Sequence, residues 1–146
     1  MAEQNEWRAH PCDLGWSLTV LMQRYETLTE HIFAEVPRGA RGYQVLYTVV
    51  FKEPQTQHEI AEYLGIDRTV LTYIIGDLVK AGLLERQPSP EDKRVRIMTV
   101  TDLGLQVVTR MRQELDTAEQ ELLEALTPTE SMFTRTLLSE LANRWK

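Results

Sequence analysis

Four side chains between positions 68 and 76 are spaced to grip an extended polar ligand from one side of a helix: Arg68, Thr69, Thr72 and Tyr73, with Gly76 beside them. Val70, Leu71, Ile74, Ile75 and Leu78 fall on the opposite side, and their period predicts the buried face. An arginine fork suits a guanine edge or a phosphate, a threonine a thymine methyl or a phosphate, and a tyrosine hydroxyl a phosphate. Gly76 leaves room for close approach, and the N-terminus of such a helix offers free amides to an anion. A second polar group follows: Lys93, Arg94 and Arg96, with Glu91 and Asp92 alongside. Cations that close together suit a phosphate backbone, and an arginine suits a narrow minor groove with its enhanced negative potential. Each group also has a plain reading, an amphipathic surface helix and a solvated charge cluster. The surrounding elements decide between the readings.

Those elements are well signalled. Thr56 and Glu59 form a capping box that opens a helix burying Ile60, Ala61 and Leu64, and Gly65 is placed to leave it in the left-handed conformation. Asp67 caps the next helix, which ends at Gly82. The four-residue connection between the two matches a helix-turn-helix. Leu83 to Arg86 and Val95 to Val100 read as short strands joined by the polar loop QPSPEDKR, a hairpin wing. Thr101 then caps a long helix with Leu103, Val107, Met111, Leu115, Ala118 and Leu122 along one side.

Helices at both ends complete the chain. From Leu14 the apolar positions Leu14, Leu18, Leu21, Tyr25, Leu28 and Ile32 make a heptad-like seam, which Pro37, Gly39 and Gly42 bring to an end. A second helix is expected from Arg41 to about Phe51, with Pro54 as its stop. Thr127, Pro128 and Glu130 open a last helix with Phe133, Leu137, Leu141 and Trp145 on one stripe. These seams exceed what the central module can cover, so the economical reading is a dimer built from the first and last helices. The expected fold is mainly α: about six helices and a two-stranded β-wing in one structural domain. Residues 1–36 and 102–146 form the dimerisation region, and residues 41–101 the winged helix-turn-helix.

Composition bounds the alternatives. The 146 residues fit about one domain, and no apolar run approaches the roughly 18 residues of a spanning helix. The N-terminus lacks the basic start and apolar stretch of a signal peptide, and the one cysteine excludes an internal disulfide, so the expected compartment is the cytoplasm. The net charge of −6 argues against a nucleic-acid partner, but its distribution does not: residues 1–65 carry −4, residues 66–96 carry +1 and residues 97–146 carry −3. Phosphate binding needs a local positive surface rather than a basic whole. No nucleophile-elbow, phosphate-loop or zincin motif is present, which argues against an enzyme and implies no cofactor.

The run IAEYLGIDRTVLTYIIGDLVKAGLLER followed by PSPEDKRVRIMTVTDLG resembles the MarR family of bacterial transcription regulators. The resemblance rests on the helix pair, the GLLER exit, the D-x-R pattern of Asp92 and Arg94, and the Thr101-x-x-Gly104 start of the next helix; it covers about a third of the chain. It implies a homodimer with a winged helix-turn-helix in each lobe, bound to double-stranded DNA at a palindromic operator. It places Arg94 in the minor groove, has Asp92 orient the wing by pairing with Arg86 or a neighbouring arginine, and gives Lys93 and Arg96 phosphate contacts. Tyr73 and Asp77 depart from residues common in the family, so they are expected to set sequence preference.

The resemblance also implies a ligand-responsive repressor, with a small aromatic effector between the dimer helices and the DNA lobe. Trp16, His31, Tyr43, Tyr47, Met111 and Arg112 are the candidates for that pocket, each equally readable as a core residue. Redox sensing through Cys12 is the alternative: a helix start and His10 favour a thiolate there, while Asp13 and the lack of a second cysteine oppose it. His10, Cys12, His31 and His58 lack zinc-site spacing, and no metal is expected. A winged helix that docks a protein and never touches DNA is the remaining alternative, favoured by the acidic total.

Overall fold

The computed structural model describes residues 13–52 and 56–145. Cys12, His10, Pro11 and Pro54, with the redox reading attached to Cys12, lie outside the described residues. Among the described residues, six helices and one two-stranded sheet follow in the order α1 (Leu14–Phe33), α2 (Gly39–Phe51), α3 (Gln57–Leu64), α4 (Arg68–Lys80), β1 (Leu84–Pro88), β2 (Arg96–Val100), α5 (Asp102–Leu122) and α6 (Pro128–Asn143). No helix among the described residues is long and apolar enough to cross a membrane.

Local chemistry sets most of the boundaries. Asp13 starts α1 by accepting from the Trp16 amide at 2.9 Å. Thr56 accepts from the Glu59 amide while Glu59 accepts from the Thr56 amide, closing the capping box of α3. Gly65 leaves α3 at φ 62°, and Asp67 receives the Thr69 and Val70 amides at 2.8 and 3.2 Å to begin α4. Thr101 accepts from Gly104 at 3.0 Å and donates to the Gly82 carbonyl at 2.6 Å, so one hydroxyl both opens α5 and ties it to the exit of α4. A second capping box, Thr127 with Glu130, opens α6.

The core gathers Ile32 and Val36 with Val45, Leu46, Ile60, Leu71, Ile75, Leu78, Leu84, Met98, Val108, Met111 and Leu115. In the antiparallel wing Leu84 faces Val100, Arg86 faces Met98 and Pro88 faces Arg96. Thr56 also bridges to Ile97, which ties the start of α3 to the wing.

Several expectations need correction. Gly42 does not end a helix; it lies inside α2, where an added Cβ would stand 1.9 Å from the Pro37 carbonyl oxygen. The seam of α1 divides: Ile32 is buried and Tyr25 and Leu28 half-buried, whereas Leu14, Leu18 and Leu21 are exposed. On α5 the buried stripe is Gly104, Val108, Met111, Leu115 and Ala118, and Leu103 is exposed. Gly104 takes the inward place because a Cβ there would meet the Leu83 carbonyl oxygen at 2.1 Å. On α4 Val70 is 51% exposed, so the helix turns a wider face outward than its period predicts.

Candidate nucleic-acid interface

The outer face of α4 carries Arg68, Thr69, Val70, Thr72 and Tyr73, all exposed, with Gly76 half-buried one turn later and nothing within 4 Å of its added Cβ. The first turn leaves its face open because Asp67 engages the Thr69 and Val70 amides from the N-terminal side. Thr72 donates back to the Arg68 carbonyl at 2.8 Å. Two residues of α3 join this surface: His58 Nδ1 lies 2.7 Å from the Arg68 guanidinium, and Gln57 donates to the Thr72 hydroxyl. No pattern along the chain marks Gln57, because contact across two helices depends on their packing and not on spacing along either one.

The wing tip is closed by main-chain and side-chain bonds. Ser89 and Val95 pair through the Ser89 amide at 2.8 Å, and the Val95 amide donates to the Asp92 carbonyl at 2.9 Å. The Asp92 carboxylate accepts from the Arg94 amide at 2.9 Å. Asp92 thus shapes the turn through the backbone, and no ion pair links it to Arg86 among the described residues. The difference has a plain cause: an aspartate two residues before an amide reaches it without the entropy of holding a long side chain. Arg86, Lys93, Arg94 and Arg96 are all exposed, and none has a carboxylate partner among the described residues. Those cations are available to phosphate.

Asp77 has a different occupation from the one expected. Its carboxylate accepts from Arg38 Nε at 2.6 Å and lies 3.9 Å from Lys80 Nζ. Arg38 holds φ 67°, the left-handed region, in the turn between α1 and α2. Asp77 therefore fastens the last turns of α4 to that bend.

Among the described residues the six pocket candidates lie in different places. Met111 is fully buried in the core, and Trp16 is 47% exposed near the start of α1. His31 borders a groove between α1 and α5 with Glu114 and Glu121. Tyr43 and Tyr47 line a cleft of about 310 Å³ with Arg41, Lys52 and Tyr63. Arg112 sits behind Tyr43 and pairs with Asp116 and Glu119, while Glu119 also binds Arg135 of α6 at 2.5 Å. Burial raises the Tyr43 pKa, and the neighbouring Arg112 charge partly opposes it. Burial works against the Arg112 charge, but Glu119 and Asp116 outweigh it and its pKa is raised. The guanidinium is near enough to act on Tyr43 electrostatically, yet among the described residues the buried hydroxyl lacks a partner in normal hydrogen-bond geometry.

Residues 41–95, the stretch from α2 to the wing tip, match the family model described as MarR family. The transcriptional repressor CouR, solved on a 23-mer DNA duplex, is 30% identical, with a TM-score of 0.74 over 91% of this chain and 92% of that one. The chain belongs to the MarR family. A mutant of MarR from E. coli complexed with operator DNA is 26% identical, with a TM-score of 0.71 over 88% of this chain and 92% of that one. The HTH-type transcriptional repressor IacR of Pseudomonas putida is 30% identical over 105 residues, which are 72% of this chain and 60% of that relative's length. The MarR family is one of transcriptional regulators, and α3, α4 and the β1–β2 wing occupy its matched region here.

Proposed function

We propose that this chain is a DNA-binding transcriptional repressor that acts as a homodimer. One observation carries the reading: the module from α3 to β2 presents exposed hydrogen-bonding side chains on α4 and, on and beside the wing, four cations with no carboxylate partner among the described residues, in a protein whose net charge is −6. Acidic surface elsewhere limits unspecific adhesion to a polyanion, while the module keeps the positive surface that counterion release needs. Arg68, Thr69, Thr72 and Tyr73 address a major groove, and Arg94 the adjacent minor groove. Asp92 holds the turn that presents Arg94, and Arg86, Lys93 and Arg96 neutralise phosphates.

Dimerisation is supported by surfaces that make no sense in water. No residue of α6 is buried, and Met132, Phe133, Leu137, Leu138, Leu141 and Trp145 are all exposed. A 16-residue helix with so little packing is marginal by itself. The first turns of α1 show the same character at Leu14, Trp16, Leu18, Leu21 and Met22. A second copy covering both faces holds two readers at a fixed spacing on a palindromic site.

The effector reading favours a small aromatic acid in the Tyr43–Tyr47 cleft, where Arg41 and Lys52 supply positive charge. The larger groove of about 690 Å³ between α1 and α2 is lined by Glu26 and Glu30, which repel an acid. An effector shifts the dimer only by its differential affinity for DNA-competent and incompetent geometries.

The experiment is a duplex titration across ionic strength. A groove reader loses affinity steeply and log-linearly with salt. A winged helix that only docks proteins shows no such slope, and that result ends the proposal. Aromatic acids screened by thermal shift, with DNA release as the second readout, test the effector separately.

A further inference from the structure

Two consecutive side chains at the start of α3 reach across to α4. Gln57 donates to the Thr72 hydroxyl. Arg68 donates from its guanidinium to His58 Nδ1 at 2.7 Å. On the other side of the imidazole, Nε2 lies 3.4 Å from Glu62 Oε1, one turn along α3. The two α4 side chains four residues apart on the outer face are therefore each held by a neighbour from the preceding helix.

The direction of these bonds fixes the imidazole. A guanidinium has only donors, so His58 Nδ1 must present its lone pair and the ring proton must sit on Nε2. The Glu62 carboxylate faces that proton and favours the same tautomer. Only one amino group of Arg68 is used, and the rest of the fork remains open to a ligand.

We infer that His58, with its tautomer set by Glu62, is a positioning residue that holds Arg68 in the conformation in which it meets a base edge, so that α3 sharpens sequence discrimination without touching a base. Gln57 does the same for Thr72. The inference rests on the groove-reading function proposed above. An unrestrained arginine surrenders much rotamer freedom when it docks, and a pre-held one does not. The benefit appears on the duplex whose base Arg68 reads; binding dominated by phosphates gains far less from it.

The test uses the full chain and a duplex that the wild type selects from a randomised pool, measured against an unrelated duplex of equal length. His58→Ala is expected to lower the ratio of the two affinities about three- to tenfold, the equivalent of freeing one long side chain. His58→Gln, whose amide can accept from Arg68 and donate to Glu62, is expected to keep the ratio. In an Arg68→Ala background His58→Ala is expected to have no further effect on it. An undiminished ratio in His58→Ala, or an equal loss with Arg68 already removed, overturns the inference. The ¹⁵N spectrum of the His58 ring in the free protein is an independent readout. A bare Nδ1 and a protonated Nε2 are expected, with the Nδ1 signal moving downfield toward that of a free lone pair in Arg68→Ala while Glu62 keeps the proton on Nε2; an Nδ1 signal indifferent to Arg68 overturns the clamp even if His58→Ala fails to fold. A wild type that selects no duplex but keeps the expected ring spectrum defeats the groove reading, and with it the role assigned to the clamp. The two failures are therefore distinguishable.

Discussion

The arginines of the wing and those of the long helices live under opposite rules. Arg24, Arg110, Arg112 and Arg135 each meet a carboxylate, from Glu121, Glu35 and Glu114, Asp116 and Glu119, and Glu119 respectively. Arg86, Lys93, Arg94 and Arg96 meet none among the described residues. The apolar side chains divide the other way. The wing and α3–α4 bury or half-bury theirs, apart from Val70, Tyr73 and Val95, while the first turns of α1 and all of α6 leave theirs bare. One region keeps its cations clear of carboxylates and the other lacks apolar cover, which is how a protein with surplus negative charge can still have a surface for phosphate. Net charge sums over both regions and so describes neither.

The sharpest way to break the contrast is at the join of the two regions. Gly104→Ala drives a methyl into the Leu83 carbonyl and Val100, both of them at the base of the wing. Overpacking against backbone is expected to cost about 3 kcal/mol or more, read as a fall in Tm with loss of duplex binding. A next step removes the apolar character of α6. Phe133→Glu with Leu137→Glu is expected to give a monomer by sedimentation, with the fold of the wing retained. Operator affinity should drop on the order of 10²-fold, since the second half-site no longer benefits from tethering. A dimer that survives this pair of changes places the interface elsewhere.

The charge contrast itself is tested by two arginines. Arg94→Ala is expected to weaken duplex binding by about 1–3 kcal/mol and to lower the salt slope by about one. Arg110→Ala, which removes a partner of Glu35 and Glu114, should leave the slope where it was. Equal slopes for the two variants erase the distinction drawn here. The smallest effect concerns Glu130. Its pKa is lowered by bonds from the Thr127 amide and hydroxyl, so it stabilises α6 above the ordinary carboxylate range and loses that contribution as pH falls through its folded pKa. Glu130→Gln should flatten the acid limb of α6 helicity measured by circular dichroism.

How far the sequence carried depended on the range of each signal. Caps act over three residues, and Thr56, Gly65, Asp67, Thr101 and Thr127 all do what their positions imply. The polar face of α4 and the cations of the wing were equally open to reading, since exposure follows period and composition. Helix phase was harder. On α1 a single seam mixes residues packed within the chain, such as Ile32, with residues left bare, such as Leu14. On α5 a glycine takes an inward place that no hydrophobicity pattern marks. Partners distant in sequence were out of reach altogether: Arg38 meets Asp77 across 39 positions, and Arg68 meets His58 only because α3 and α4 cross as they do.

The bridge between Thr56 and Ile97 has a consequence for the geometry of recognition. It welds the hairpin to the helix pair, so the fingertip and the rod of each reader keep a constant offset. If two copies read a palindrome as proposed above, the gauge of a half-site is built into the fold, and any adjustment to an altered operator falls to the junction between the copies. Inserting base pairs at the centre of a palindrome should be forgiven more readily than inserting the same number inside either arm.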